Sequence, residues 1–131
     1  MKYVVTAAFD DQEPGEVVIQ RKLKETFNMN CGVLWSPVGD AIEEKRKPIK
    51  ALTSGSGFVL EQVVAAERVF KELRSLRQEA LTRWTKESDA NAHKRNFIGM
   101  HQQQMNNIAD CLNILEVIRL DLVLKPLRVA A

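Results

Sequence analysis

Proline and glycine are distributed unevenly along the chain, and this limits the fold more than any other feature. Of six glycines and four prolines, only Gly99 and Pro126 come after residue 59. Because these residues form turns and interrupt helices, the chain is predicted to divide near Thr53 into short elements followed by long helices. A length of 131 residues makes the two parts a single domain, 1–131.

A long antiparallel helical hairpin is predicted for residues 58–125. Apolar residues recur at intervals of three, four or seven up to residue 86, and a second stripe of this kind runs from 92 to 124. Ser56 is the predicted N-cap, Gly57 lets the chain turn into the first helix, and Pro126 is expected to stop the second. The connection between the helices is short, which predicts antiparallel packing with a coiled-coil seam.

The first part, residues 1–53, is predicted to be rich in sheet, so that the fold class is α+β with a small N-terminal antiparallel sheet. Residues 3–9 alternate in a way that favours a strand. Residues 31–37 and 49–54 are interpreted as further short strands, and one or two helical turns are expected between them from Asp40.

Residues 17–27 fit two structures. Every second residue from Val17 through Ile19 and Arg21 to Leu23 could lie on one face of a strand. Alternatively, Ile19, Leu23 and Phe27 share one face of a helix. The β-branched residues that open the segment favour the strand.

Composition restricts the class of protein. The net charge is only +2, with 45% hydrophobic and 27% charged residues, which indicates a folded domain and not a generally basic nucleic-acid binder. Two distant cysteines and no signal-like N-terminus predict a reducing, cytoplasmic location. The C-terminal apolar run carries Glu116, Arg119 and Asp121, so we expect no membrane span.

The uncharged stretch HQQQMNN, residues 101–107, interrupts the second apolar stripe. In an antiparallel hairpin Phe70 faces Ile108, while Arg77, one heptad later, faces His101, with Gln104 one turn along. Polar residues in a seam fix register and partner number or contact a ligand, whereas diverging helices would leave them solvated by water. The sequence therefore predicts a polar level inside the hairpin as a candidate ligand or partner site.

Both ends of the hairpin carry further candidate surfaces. Basic and aromatic residues at the tip suit an anionic partner or simply cap the seam: Trp84, Lys94, Arg95 and Phe97. At the base, apolar residues point away from the seam and are predicted to form an oligomer interface: Val117, Leu120, Val123 and Leu124.

A weak anion-binding site is suggested where the two parts of the chain join. The TSGSGF stretch precedes a helix and follows a basic segment, in the way that phosphate-binding loops do. It lacks the Gly-Lys-Ser/Thr ending of such loops, which favours a flexible joint. The candidate residues are Lys45, Arg46, Lys47, Ser54 and Ser56.

No spacing of histidine, cysteine or acidic residues suits a metal site, a cofactor or a nucleophilic centre. We therefore expect a non-enzymatic, homo-oligomeric binding protein, such as an inhibitor or regulator, that recognises, sequesters or blocks a protein or an anionic small ligand. The alternative is a nucleic-acid-binding regulator that uses the basic segments 45–50 and 93–95.

Overall fold

Four helices dominate the structure, a computed structural model that describes residues 2–3, 8–10, 13–34, 39–54, 57–86 and 92–130. The helices are α1 (Gly15–Leu34), α2 (Gly39–Thr53), α3 (Leu60–Lys86) and α4 (Ala92–Ala130). Their dominance makes the predicted α+β class wrong, and the fold is helical.

The strands are short and form no layer. They are β1 (Lys2–Tyr3), β2 (Ala8–Asp10), β3 (Glu13–Pro14) and β4 (Phe58–Val59). β1 pairs with β4 and β2 with β3, each antiparallel, so the described strands form two separate pairs. Strands of two or three residues cannot cover a helical hairpin, and other helices do so here.

Residues 17–27, for which the sequence allows a strand or a helix and favours the strand, lie in α1. Ile19, Leu23, Phe27 and Cys31 are buried at intervals of four residues, whereas Val17 is exposed. A strand and a helix would both bury Ile19 and Leu23. The burial of these two residues therefore could not distinguish a strand from a helix. The predicted strand at 31–37 is also wrong, because residues 31–34 end α1, and the rest of it lies outside the described residues.

Residues 49–54 were predicted as a strand and instead contain the end of α2. Ile49 and Leu52 are buried three residues apart, and Thr53 Oγ1 donates to the Ile49 carbonyl at 2.9 Å. The expected helical turns from Asp40 therefore continue through Pro48 to Thr53. Proline lacks the N–H that this position would donate, so the buried apolar face has to offset one lost backbone hydrogen bond.

The predicted antiparallel hairpin is present. Arg77 of α3 contacts His101 of α4, and Glu67, earlier in α3, contacts Arg119, later in α4. Because the earlier residue of α3 contacts the later residue of α4, the two helices run antiparallel. Gly57 has a φ of 76°, as its predicted role in turning the chain requires. The predicted N-cap, Ser56, lies outside the described residues.

The second helix is longer than predicted. Its backbone stays helical through Pro126 to Ala130, so the expected stop at Pro126 is wrong. At 1.5 Å per residue α4 is about 58 Å long, against about 40 Å for α3.

The remaining helices cover one side of the hairpin. α3 and α4 share the most extensive helix–helix contact, α1 packs against α4 and α2, and α2 packs against α3. The core lies between them, where buried side chains of all four helices meet. None of the described helices contains a stretch long and apolar enough to cross a bilayer.

Candidate functional site

Arg77 is the largest fully buried side chain among the described residues, with an exposed fraction of 1%. It follows Phe70 by one heptad, so the helical repeat that buries Phe70 and Leu73 also turns Arg77 inward. Burial of a guanidinium is costly unless its N–H groups find acceptors, so the surrounding residues determine whether this position is stable.

Arg77 donates to residues from two other helices. Its Nε lies 3.0 Å from Asn30 Oδ1 on α1, and its Nη2 donates to the same oxygen. Its Nη1 lies 3.0 Å from His101 Nδ1 on α4. Arginine has no acceptor, so His101 Nδ1 must be the acceptor and its proton must be on Nε2.

Asn30 links Arg77 to Gln104. Asn30 Nδ2 donates to the Thr26 carbonyl at 2.7 Å and to Gln104 Oε1 at 3.1 Å. Asn30 thus uses its oxygen for Arg77 and its nitrogen for Gln104. We call Asn30, Arg77, His101 and Gln104 the polar layer.

Further polar contacts continue along α1 and α4 from the polar layer to the surface. Asn107 Nδ2 donates to Gln104 Oε1 at 3.4 Å, and Lys22 Nζ donates to Asn107 Oδ1 at 3.2 Å. Lys22 Nζ also lies 3.8 Å from the Asp110 carboxylate. Arg77 is therefore the buried end of a continuous chain of hydrogen bonds.

No carboxylate of the described residues pairs with Arg77, so only neutral groups stabilise its charge. Burial lowers the pKa of the Arg77 guanidinium. Burial, and then the positive charges of Arg77 and Arg83, lower the pKa of His101. His101 is consequently neutral at neutral pH, as its acceptor role requires.

The predicted facing of Arg77 and His101 is confirmed, and Gln104 joins them through Asn30. Sequence reasoning missed Asn30, because its segment was not assigned to a helix. Once α1 is helical, Ile19, Leu23, Thr26 and Asn30 follow heptad spacing on the buried face, and this signal would have found it. A binding role for the polar layer remains a prediction.

The polar layer offers hydrogen bonding and no activated nucleophile. Cys111, on the same helix as His101, is buried, and burial raises the pKa of its thiol. Its Sγ lies 3.9 Å from the Lys22 carbonyl, to which it donates. A protonated thiol is a poor nucleophile. Within the described part of the chain no three histidine, cysteine or acidic side chains form a group that could hold a metal ion.

The tip residues are only partly described. Arg95 and Phe97 are exposed on α4. The side chains of Trp84 and Lys94 lie outside the described residues. Partner binding at the tip therefore stays a prediction.

The structure separates the predicted anion-binding residues. Lys45 Nζ pairs with Glu72 at 2.7 Å. Lys47 lines a groove beside Glu61, apart from the groove that Arg46 lines. Arg46 and Ser54 line one groove together. The basic segment 45–50 thus forms no single cationic face.

The face of α4 directed away from the core is apolar near its C-terminal end. The exposed fractions are 62% for Val117, 44% for Leu120, 46% for Val123 and 43% for Leu124. These are the residues predicted to form an oligomer interface. Val117, Leu120 and Leu124 are spaced by three and four, as in the seam of a coiled coil.

No protein family, curated protein or solved structure matches this chain.

Proposed function

We propose that this chain is a non-enzymatic binding protein that assembles with copies of itself through the outer face of α4 and recognises, sequesters or blocks a partner. The observation that carries the proposal is the exposure of Val117, Leu120, Val123 and Leu124 on one helix. Clustered apolar side chains of this size on a surface mark a site of interaction.

A second copy of the chain fits this surface better than a charged partner does. Exposed polar residues at heptad spacing extend the line of Val117, Leu120 and Leu124 toward the N-terminal end of α4. We call the whole line the outer stripe: Gln103, Asn106, Asp110, Asn113, Val117, Leu120 and Leu124. Asp110 carries its single charge, and Lys22 neutralises it at 3.8 Å. Two copies can therefore meet along the stripe positions without bringing unpaired like charges together, while the exposed Glu116 flanks the stripe.

The size of the stripe also matters. The apolar section from Val117 to Leu124 covers about 10 Å of helix, and the whole stripe covers about 32 Å. A stable interface buries about 800 Å² on each partner, so the amide section has to take part as well. Amides suit this position because another amide can satisfy them without a charge being buried.

The polar layer supports assembly in one arrangement. A buried polar group in a helical seam favours the one register in which its hydrogen bonds are made. Arg77, Asn30 and His101 thereby fix α4 against α1 and α3, and the outer stripe is presented in one orientation. We propose a cytoplasmic role, since Cys31 and Cys111 are both buried without a disulfide.

Site-directed cross-linking tests the contact. Leu120→Cys places one exposed thiol on the outer stripe, while the native cysteines stay buried. A short bismaleimide should then link two copies into a covalent dimer at micromolar protein concentration. Ser75→Cys, on an exposed position of α3, is the matched control. Equal dimer yields from the two variants would refute contact through the stripe.

A further inference from the structure

A groove of about 280 Å³ lies between α1 and α2. Phe27 of α1 and Ile49 of α2, both nearly fully buried, form its floor, and the aliphatic parts of Lys24, Lys50 and Thr53 form its accessible apolar wall. Lys24 of α1, with Arg46 and Lys50 of α2, contributes positive charge. The groove thus combines an apolar wall with cationic groups from two helices, as sites for small amphipathic anions do.

The charge of the groove is not neutralised by its own lining. No acidic residue is among the side chains that line it. Within the described residues Lys24 and Lys50 form no ion pair, in contrast to Lys45, which pairs with Glu72. Like charges held around a concave surface raise the local positive potential and concentrate anions there.

Arg46 is held in position at the groove. Its Nη1 donates to Asn28 Oδ1 at 2.8 Å, and its Nε forms an ion pair with Glu43 Oε1 at 3.3 Å, so Lys24 and Lys50 supply most of the uncompensated positive charge. Its Cζ lies 5.3 Å from the centre of the Phe27 ring, in a cation–π contact. An arginine that is already oriented loses less side-chain entropy when it binds an anion.

We infer that this groove binds a small organic phosphate monoester with an apolar or aromatic body. The phosphate meets Lys24, Arg46 and Lys50, with the Ser54 hydroxyl at the same groove as a further donor. A phosphate monoester carries a charge of about −1.5 to −2 at neutral pH, which suits two lysines without carboxylate partners. The apolar body packs against the aliphatic stems of Lys24 and Lys50 and the methyl group of Thr53, above the buried side chains of Phe27 and Ile49.

This site deepens the proposed binding role by naming a class of ligand, and it does not depend on self-association. Its lining comes from α1, α2 and Ser54, whereas the outer stripe lies on α4. A chain that binds the ligand as a monomer would contradict the assembly alone, and an oligomer that binds no ligand would contradict the groove alone.

Calorimetric titration of phenyl phosphate into the full chain at low salt tests the inference. We expect saturable binding, with inorganic phosphate about tenfold weaker because it lacks the apolar body. The double variant Lys24→Gln/Lys50→Gln should bind phenyl phosphate about 10- to 100-fold more weakly. Both lysines are exposed, so circular dichroism should show an unchanged helix content.

The control variant is Lys47→Gln/Lys71→Gln, which removes the same charge from exposed positions that do not line the groove. We expect its affinity to stay within about twofold of the wild type. Absence of saturable binding by the wild type would overturn the inference. Equal losses in the two double variants would also overturn it, because binding would then follow net charge and not the groove.

Discussion

Replacement of Arg77 by methionine should destabilise the fold although it removes a buried charge. Methionine keeps the long apolar stem but leaves Asn30 Oδ1 and His101 Nδ1 without a donor in the core. A buried group left unpaired costs about 1 to 3 kcal/mol, so the two acceptors together cost about 2 to 6 kcal/mol. Release of the burial cost of the guanidinium offsets part of this, and we expect a net loss of about 2 to 3 kcal/mol.

Removal of the entire polar layer should have the opposite effect. In the variant Asn30→Leu/Arg77→Met/His101→Leu/Gln104→Leu no layer member is left without its partner, and apolar packing replaces the hydrogen bonds. Exchange of buried polar clusters for apolar residues is often neutral or stabilising by about 1 to 4 kcal/mol. If the layer fixes the register, this variant should be stable but give broadened or multiple amide resonances, as alternative packings become accessible.

Urea unfolding followed by circular dichroism measures both effects, provided that the slope m stays constant. Arg74→Met is the matched control, since Arg74 is exposed on the same helix and should change stability by no more than about 0.5 kcal/mol. The reasoning is refuted if Arg77→Met is as mild as the control. It is also refuted if the four-residue variant is less stable than Arg77→Met alone.

Three other predictions concern pH, an ion pair and α1. Burial first, and then the charge of Arg77, lower the pKa of His101 from 6.5, so as the pH falls below about 6.5 the unfolded state takes up the proton before the folded state does. Stability is therefore complete above that pH and declines below it, and His101→Gln should flatten the decline between pH 7 and 5 in urea titrations. Arg119→Met removes the 2.7 Å partner of the buried Glu67 and should cost about 1 to 3 kcal/mol in the same assay; no loss would mean that water solvates the carboxylate. Leu23→Ala should cost about 2 to 5 kcal/mol and Val17→Ala less than about 0.5, whereas equal losses would contradict the helical register of α1.

The hairpin could be predicted from the sequence because its signal is long. Over the 27 residues of α3 and the 39 residues of α4, a heptad pattern fixes which residues face each other, and the pairing of Arg77 with His101 follows from that register. Arg77 on α3 and His101 on α4 are polar residues at seam positions that would otherwise be apolar. Each independently indicated a polar layer at the same height in the hairpin. This is why most of the polar layer could be found without a structure.

The first part of the chain was misassigned because its patterns are short. A window from Val17 to Leu23 fits a strand and a helix equally well, and only Phe27 and Cys31 extend the helical period. Tertiary packing then decides that this segment is a helix. The hairpin presents a helical surface, and α1 covers that surface with one apolar stripe. Asn30 was missed for the same reason. The sequence indicated Arg46 and Ser54 of the α1–α2 groove, but Lys24 and Phe27 join them only through this packing, so the groove itself lay beyond sequence patterns.

The mass of the protein in solution tests the central claim most directly. Light scattering at micromolar concentration should give the wild type a mass of at least twice the 14.9 kDa of one chain. Leu120→Asp places a charge in the centre of the apolar section of the outer stripe and should reduce the mass to 14.9 kDa without loss of helix content. Ser75→Asp, at an exposed position of α3, should leave the mass unchanged. A wild-type mass of 14.9 kDa under these conditions would contradict assembly through α4.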